Sequence, residues 1–258
     1  TKIVIQSIDT DKKRILASLV FRFISLFKSK ITIINTLPGR HEIDLNFDLI
    51  QSQINKKIHY CRDTIFPVLK TKTSFIENFY ASNKKYIVLQ IGTRSGVPTP
   101  KRWSYENFSK LARSIILAFP EYSIVLIGDN TDNVVYCTEF NKKFPSTINL
   151  AGKTNLHEVG DILKNAAVSV VHDSGAMHIG SAMNAKMICL FGPTDFHRVK
   201  PLSKNSIVLF SKNLSTNAMF NFLLDEDEVF VKFPNNFCMD DIKVDDVFKQ
   251  ISKVLSDS

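Results

Sequence analysis

Residues 170–192 read VVHDSGAMHIGSAMNAKMICLFG, and they constrain the fold more than any other stretch. A mostly apolar run, Val168 to Val171, ends in His172-Asp173-Ser174-Gly175. A short helix-like segment follows, then a second apolar run, Met187 to Phe191, closed by Gly192-Pro193-Thr194-Asp195. This is strand, polar turn, helix, strand, turn. Apolar runs buried on both faces belong to parallel sheets, whose ligands sit at the carboxyl ends of the strands. The first turn presents backbone N–H groups at a helix N-terminus, a place suited to phosphate.

The rest of the chain extends this pattern. Lys2 to Gln6 and Ile31 to Ile34 read as strands, with a helix over Asp11 to Phe27 between them. Ile43, Phe47, Ile50 and Ile54 stand at helical spacing within Glu42 to Tyr60. Residues 62–84 are polar, contain one Pro and read as a linker. Strands follow at Tyr86–Ile91, Ser123–Ile127 and Ser206–Phe210, with helices over Trp103–Phe119, 131–143, Asn155–Lys164 and Asp241–Leu255. Ser104 is the expected N-cap of the Trp103 helix. The alternation predicts a doubly wound parallel sheet from residue 86 onward. Asp225 to Glu228 reads as a solvated acidic loop.

Charge divides the chain. Residues 1–85 hold 15 Lys/Arg against 7 Asp/Glu, whereas residues 86–258 hold 18 of each. The imbalance suggests two modules, the first facing something anionic, although a solvated basic surface gives the same count. Cys61, Cys137, Cys189 and Cys238 form no C-x-x-C pair, which points to a reducing compartment and no zinc. Cys189, inside an apolar run, reads as a buried hydrophobe. No apolar stretch is long enough to cross a bilayer, and no signal peptide is recognisable. The chain starts at Thr1, directly on a strand-like run, and reads as a fragment.

Several motifs are missing from the sequence. It holds no G-x-G-x-x-G, no G-x-x-x-x-G-K-[ST] and no G-x-S-x-G, and His172 and His178 lack a third partner at metal-ligand spacing. What remains is an ordered set of polar segments at strand-to-helix junctions. Gly92-Thr93-Arg94-Ser95-Gly96 follows a strand, and Lys101-Arg102-Trp103-Ser104 enters a helix. Asn149-Leu150-Ala151-Gly152-Lys153-Thr154 precedes another helix. Asp173-Ser174-Gly175-Ala176-Met177-His178 and Phe191-Gly192-Pro193-Thr194 complete the set. Glycines, hydroxyls and a Lys at helix entries suit phosphate contact.

Four of these segments, KRWS, LAGKTNL, DSGAMHIGSA and FGPT, resemble in type and order the signature segments of glycosyltransferase family 9, the ADP-heptose:lipopolysaccharide heptosyltransferases. The similarity spans roughly residues 86–200. It implies an α/β fold of GT-B type: a Rossmann-like C-terminal domain with a parallel sheet, over 76–258, and a partial N-terminal α/β segment, over 1–75, on the acceptor side. The last helix is expected to pack back on the N-terminal part. The resemblance also implies an inverting transfer of heptose, or a related sugar, from a nucleotide sugar to lipopolysaccharide core or another glycan. ADP-heptose is the favoured donor. It implies no metal, no cofactor and no nucleic acid, and a cytoplasmic location, at the inner face of the bacterial inner membrane.

The same resemblance assigns donor contacts to Thr93, Lys101, Gly128, Asp129, Asp173, Ser174, Gly175, His178, Thr194 and Asp195. Residue types alone leave other roles open: Lys101 as a solvated side chain, Asp173 as a helix cap, His178 as a packed histidine, Thr194 and Asp195 as a turn. Trp103 reads as core rather than as a platform for a base. In the family a carboxylate in a Gly-Asp turn after the first strand deprotonates the acceptor. Residues 1–40 contain no such turn, so the base is expected to lie outside this chain. Asp9, Asp11, Glu42, Asp44 and Asp48 read as helix starts or faces. Two further departures are Ser104 where the family favours Pro and the lack of a Glu after Gly128. The rival readings are a GT-B enzyme with another nucleotide sugar and a non-catalytic nucleotide-sugar-binding remnant.

Overall fold

The computed structural model describes the backbone of residues 2–7, 30–35 and 133, and backbone with side chains for 40–54, 57–59, 62, 66–67, 73–83, 85–92, 101–130, 134–212, 239 and 241–257. Strands β1 (Lys2–Ser7) and β2 (Lys30–Asn35) pair in parallel as a separate two-stranded sheet, with Ile3 opposite Ile31. The helix expected over Asp11–Phe27 and the acidic loop at 225–228 lie outside the described residues.

Helix α1 covers Glu42–Gln51. It ends well before Tyr60, where the spacing of Ile43, Phe47, Ile50 and Ile54 had suggested. The Ser52 hydroxyl donates back to the Leu49 carbonyl, and the Gln51 side chain accepts from the Ile58 N–H at 2.8 Å. These side chains satisfy groups that a continuing helix would have paired. The region read as a linker contains helix α2 (Ser74–Ser82). Its Ile76 and Phe79 are buried, and Thr73 caps it by accepting from the Ile76 N–H. Its nine residues are too short for a sustained sequence period, so tertiary burial decides the helix.

The main sheet has six parallel strands in the order β5-β4-β3-β6-β7-β8: β3 (Tyr86–Leu89), β4 (Ser123–Leu126), β5 (Ile148–Asn149), β6 (Val168–His172), β7 (Met187–Phe191) and β8 (Ser206–Phe210). Helices α3 (Tyr105–Ala118), α4 (Asn133–Lys143), α5 (Leu156–Asn165), α6 (Gly175–Ala182), α7 (Phe196–Val199) and α8 (Val244–Ser256) complete the domain.

Successive strand residues point to opposite faces. Ile87, Leu89, Ile124, Leu126, Val168, Val170, Ile188 and Leu190 join a core with α3, α4 and α8. Tyr86, Val88, Val125, Val171, Met187, Cys189 and Phe191 join a second core with α2, α5 and α6. Each large apolar side chain so removed from water contributes about 1.5–3 kcal/mol. Helix α8 buries Val247 and Ile251 and packs against α3, β6 and β7. Trp103 is fully buried, as its sequence context suggests, and its indole N–H donates to the Ile242 carbonyl at 3.0 Å.

The cap expected at Ser104 holds, whereas Asp173, weighed as a helix cap, precedes the N-cap position of α6, which is Ser174. Ser104 accepts from the Asn107 N–H, and Asn155 with Glu158 forms a reciprocal capping box at α5. Gly152 takes φ +72°, and a Cβ there would stand 2.7 Å from Val134 Cγ2, so the turn before α5 requires glycine.

Every strand of the main sheet runs the same way. Gly92, Gly128, Asp173 and Gly192, which follow β3, β4, β6 and β7, therefore share its carboxyl edge. Strand order reverses between β3 and β6, and the crevice at such a reversal is where ligands bind in open α/β sheets.

Candidate functional site

Two strand ends meet at this reversal. The Gln90 N–H, just past β3, donates to the Val170 carbonyl at 2.9 Å. Its side-chain Oε1 accepts from the His172 N–H at 3.2 Å and from the Ser174 hydroxyl at 2.9 Å. From the next turn the Trp103 N–H donates to His172 Nε2 at 3.0 Å. Because Nε2 accepts, the ring proton sits on Nδ1 and His172 is neutral. Burial, reinforced by the Arg102 charge, pushes its pKa down to about 3, with the Gly92 backbone opposing. Phe108 packs edge-on against the ring.

This network places the charged groups. Lys101, two residues before Trp103, reaches Asp173, one residue after His172, with Nζ to Oδ2 at 3.1 Å. The Asp173 side chain is 8% exposed and that of Lys101 25%. The pair is partly shielded at the carboxyl edge. Arg102 is buried beside it, its guanidinium 4.8 Å from the Tyr136 ring centre.

Helix α6 begins at Gly175, and its N-cap, Ser174, is extended (φ −160°, ψ 170°). Ser174 makes no side-chain cap bond, and its hydroxyl donates to Gln90 Oε1. The N–H groups of the first turn of α6 therefore remain without a side-chain partner from their own cap. Among the described residues, a Cβ built on Gly175 would meet no atom within 4 Å beyond its own helix and chain neighbours. Amides at the positive end of a helix beside a Lys are a chemistry suited to an anion.

The structure thus gathers Lys101, Asp173, Ser174 and Gly175. His178 lies on the first turn of the same helix. Though accessible at its edge, it has a pKa pulled below the ordinary value by burial first. Asp173 opposes that shift, and His41 and Lys101 add to it. The Ser174 hydroxyl, expected to donate to phosphate, donates to Gln90 Oε1.

Thr194 is buried, and its Oγ1 makes no hydrogen bond. Asp195 caps α7, accepting from the His197 N–H at 3.0 Å. Gly128 and exposed Asp129 follow β4 on the same edge, and the Gly128 carbonyl accepts from the Gly152 N–H. No described contact joins Gly128 or Asp129 to Lys101 or Asp173. Thr93 lies outside the described residues.

Sequence reasoning missed Gln90 and the structural use of His172. Both are polar residues closing buried apolar strands, and that signal marks them in retrospect. It also missed a junction with the N-terminal segment. His41 approaches the Lys200 carbonyl through Nε2 at 3.0 Å, and Arg198 donates to Glu42 at 2.5 Å. Asp44, one of the acids weighed as a base, is buried and held by Arg62 through two hydrogen bonds. Asp9 lies outside the described residues. Among the described residues no His/Cys/Asp/Glu cluster has a metal-binding arrangement, and no helix is long and apolar enough to cross a membrane.

A six-stranded parallel sheet whose order reverses beside a Lys–Asp pair and a helix start defines a Rossmann-like α/β domain. Residues 11–223 match glycosyltransferase family 9 (heptosyltransferase). The chain belongs to this family. It is 37% identical over 114 residues to lipooligosaccharide heptosyltransferase 2 of Haemophilus influenzae, a match covering 42% of this chain and 32% of that protein. Among solved structures, a family 9 glycosyl transferase from Veillonella parvula superposes with TM-score 0.65 at 19% identity, covering 89% of this chain and 66% of the other. The E. coli heptosyltransferase WaaC with ADP superposes with TM-score 0.55 at 17% identity, covering 86% and 59%. These structural likenesses establish the shared fold. The matched stretch spans about a third of the Haemophilus protein's length.

Proposed function

We propose that this chain carries the donor side of a heptosyltransferase. It would transfer heptose, or a related sugar, from a nucleotide sugar to lipopolysaccharide core or another glycan, with inversion and without metal. Residues 76–258 form the nucleotide-sugar-binding domain, and residues 1–75 the acceptor-side segment. Work at the cytoplasmic face of the inner membrane follows from the acceptor chemistry and from the basic balance of residues 1–85.

The observation that carries this reading is the Lys101–Asp173 pair beside the uncapped start of α6, at the reversal of strand order. Lys101 would neutralise part of the diphosphate, and the α6 amides would hold its oxygens. As the sugar–phosphate bond breaks, the leaving ADP gains charge that these groups stabilise, the task a metal performs elsewhere. Asp173 keeps Lys101 in place. ADP is the nucleotide to test first, since a solved relative was obtained with it.

The test is calorimetric titration of ADP, and separately of UDP, in the presence of EDTA. Binding of ADP that survives the chelator supports the reading. Binding that needs a divalent cation removes the metal-free mechanism. UDP bound in preference to ADP points to another nucleotide sugar.

A further inference from the structure

A serine at a helix start ordinarily turns its hydroxyl back to accept from the second or third amide of the helix. Ser174 stands at the start of α6 and does not. Its hydroxyl donates instead to Gln90 Oε1 at 2.9 Å, across the strand reversal and from 84 residues away in sequence. The same oxygen accepts the His172 N–H, which leaves little freedom in its placement. Gln90 itself is buried.

We propose that Gln90 is a positioning residue that holds the Ser174 hydroxyl away from α6, so that the first-turn amides stay open for the donor phosphates. This rests on the donor-site reading above and deepens it. A capped helix start would present fewer free N–H groups to an anion, and the ligand would have to displace the serine before binding. The interaction with Gln90 removes that competition in advance, which is preorganisation. The lack of any described atom within 4 Å of a Cβ on Gly175, beyond its own helix and chain neighbours, agrees with an N-terminus kept clear. Ser174, on this view, gives the ligand nothing through its hydroxyl.

Three variants test it by ADP calorimetry. Gln90→Met keeps length and burial and removes the acceptor. Its ADP affinity is expected to fall about fivefold, the equivalent of one serine cap competing for the amides. Ser174→Ala alone is expected to bind ADP as tightly as the unaltered protein. Ser174→Ala placed on Gln90→Met is expected to restore most of the lost affinity, a rescue that a packing role for Gln90 does not produce.

Unchanged affinity in Gln90→Met overturns the proposal, as does failure of the rescue in a folded double variant. Should Gln90→Met not fold, Ser174→Ala decides alone: a loss of about tenfold or more would mean that the hydroxyl serves the ligand directly. If the unaltered chain does not bind ADP, the donor-site reading falls and takes this proposal with it. If it binds while Gln90→Met binds equally, only the role of Gln90 falls.

Discussion

The Trp103 main-chain N–H donates to His172 Nε2 at 3.0 Å, and this bond ties the turn that carries Lys101 to the end of β6. It requires an unprotonated Nε2. In the folded protein His172 takes up a proton only near pH 3, whereas in the unfolded chain it does so near 6.5. Between these values the unfolded state holds the extra proton, so stability falls as pH drops through this window and is unaffected by His172 above it. Replacing His172 with Gln keeps an acceptor near Nε2 and removes the titration. Urea midpoints at about pH 7.5 and about pH 5 should fall further for the unaltered protein than for His172→Gln. Equal losses would show that the buried imidazole does not govern acid stability.

Lys101 carries the positive charge paired with Asp173 beside the start of α6. Lys101→Ala should weaken ADP binding by about 1.5–3 kcal/mol, the range for a hydrogen bond to a charged group. Lys101→Arg should recover part of the loss, since the charge returns with a different fork geometry. Calorimetry in one buffer of fixed ionic strength reads both.

Gly175 separates ligand effects from folding effects. Among the described residues a Cβ there meets no atom within 4 Å beyond its own helix and chain neighbours, and its φ is not positive, so Gly175→Ala should fold at least as stably as the parent. The same methyl group enters the space over the helix start. ADP affinity should therefore fall while the thermal midpoint holds or rises. A variant that binds ADP normally would place the phosphates elsewhere.

Glu158 serves two helix starts at once. Its Oε1 accepts from the Thr73 hydroxyl at 2.6 Å and its Oε2 from the Asn155 N–H at 2.9 Å. Removing the carboxylate in Glu158→Ala strands both donors and weakens the attachment of α2. A loss of about 1–3 kcal/mol is expected in urea unfolding. ADP affinity, measured well below the midpoint, should be unchanged, because Glu158 bonds to Thr73 and Asn155 and not to the Lys101–Asp173 pair.

Much of this was legible in local sequence. Tyr86–Leu89, Val168–His172 and Met187–Phe191 are apolar runs of strand length, and the structure buries them on both faces. Ser104 and Asn155 stand where short polar caps precede helical periods, and both cap. The ordered segments around Lys101 and Asp173 carried the family resemblance. Where the signal was short, it misled. Ser74–Ser82 packs only two buried side chains into nine residues, too few to display a period, and the last turns expected of α1 gave way to side-chain bonds from Gln51 and Ser52.

Periodicity and capping chemistry are properties of neighbouring residues, so the chain by itself determined its main strands and most of its helices, while tertiary burial decided α2. Tertiary structure decided which turns meet. Lys101 and Asp173 are 72 residues apart, Trp103 and His172 are 69 apart, and Gln90 and His172 are 82 apart. Nothing in their local sequence pairs them. Strand order does, by setting β3 against β6, because burial of both sheet faces selects one packing of the whole domain and carries these side chains along with it. The use of Ser174 followed the same rule. Its sequence context resembles a phosphate-contacting turn, and only the tertiary fold brings Gln90, 84 residues away, to accept from its hydroxyl.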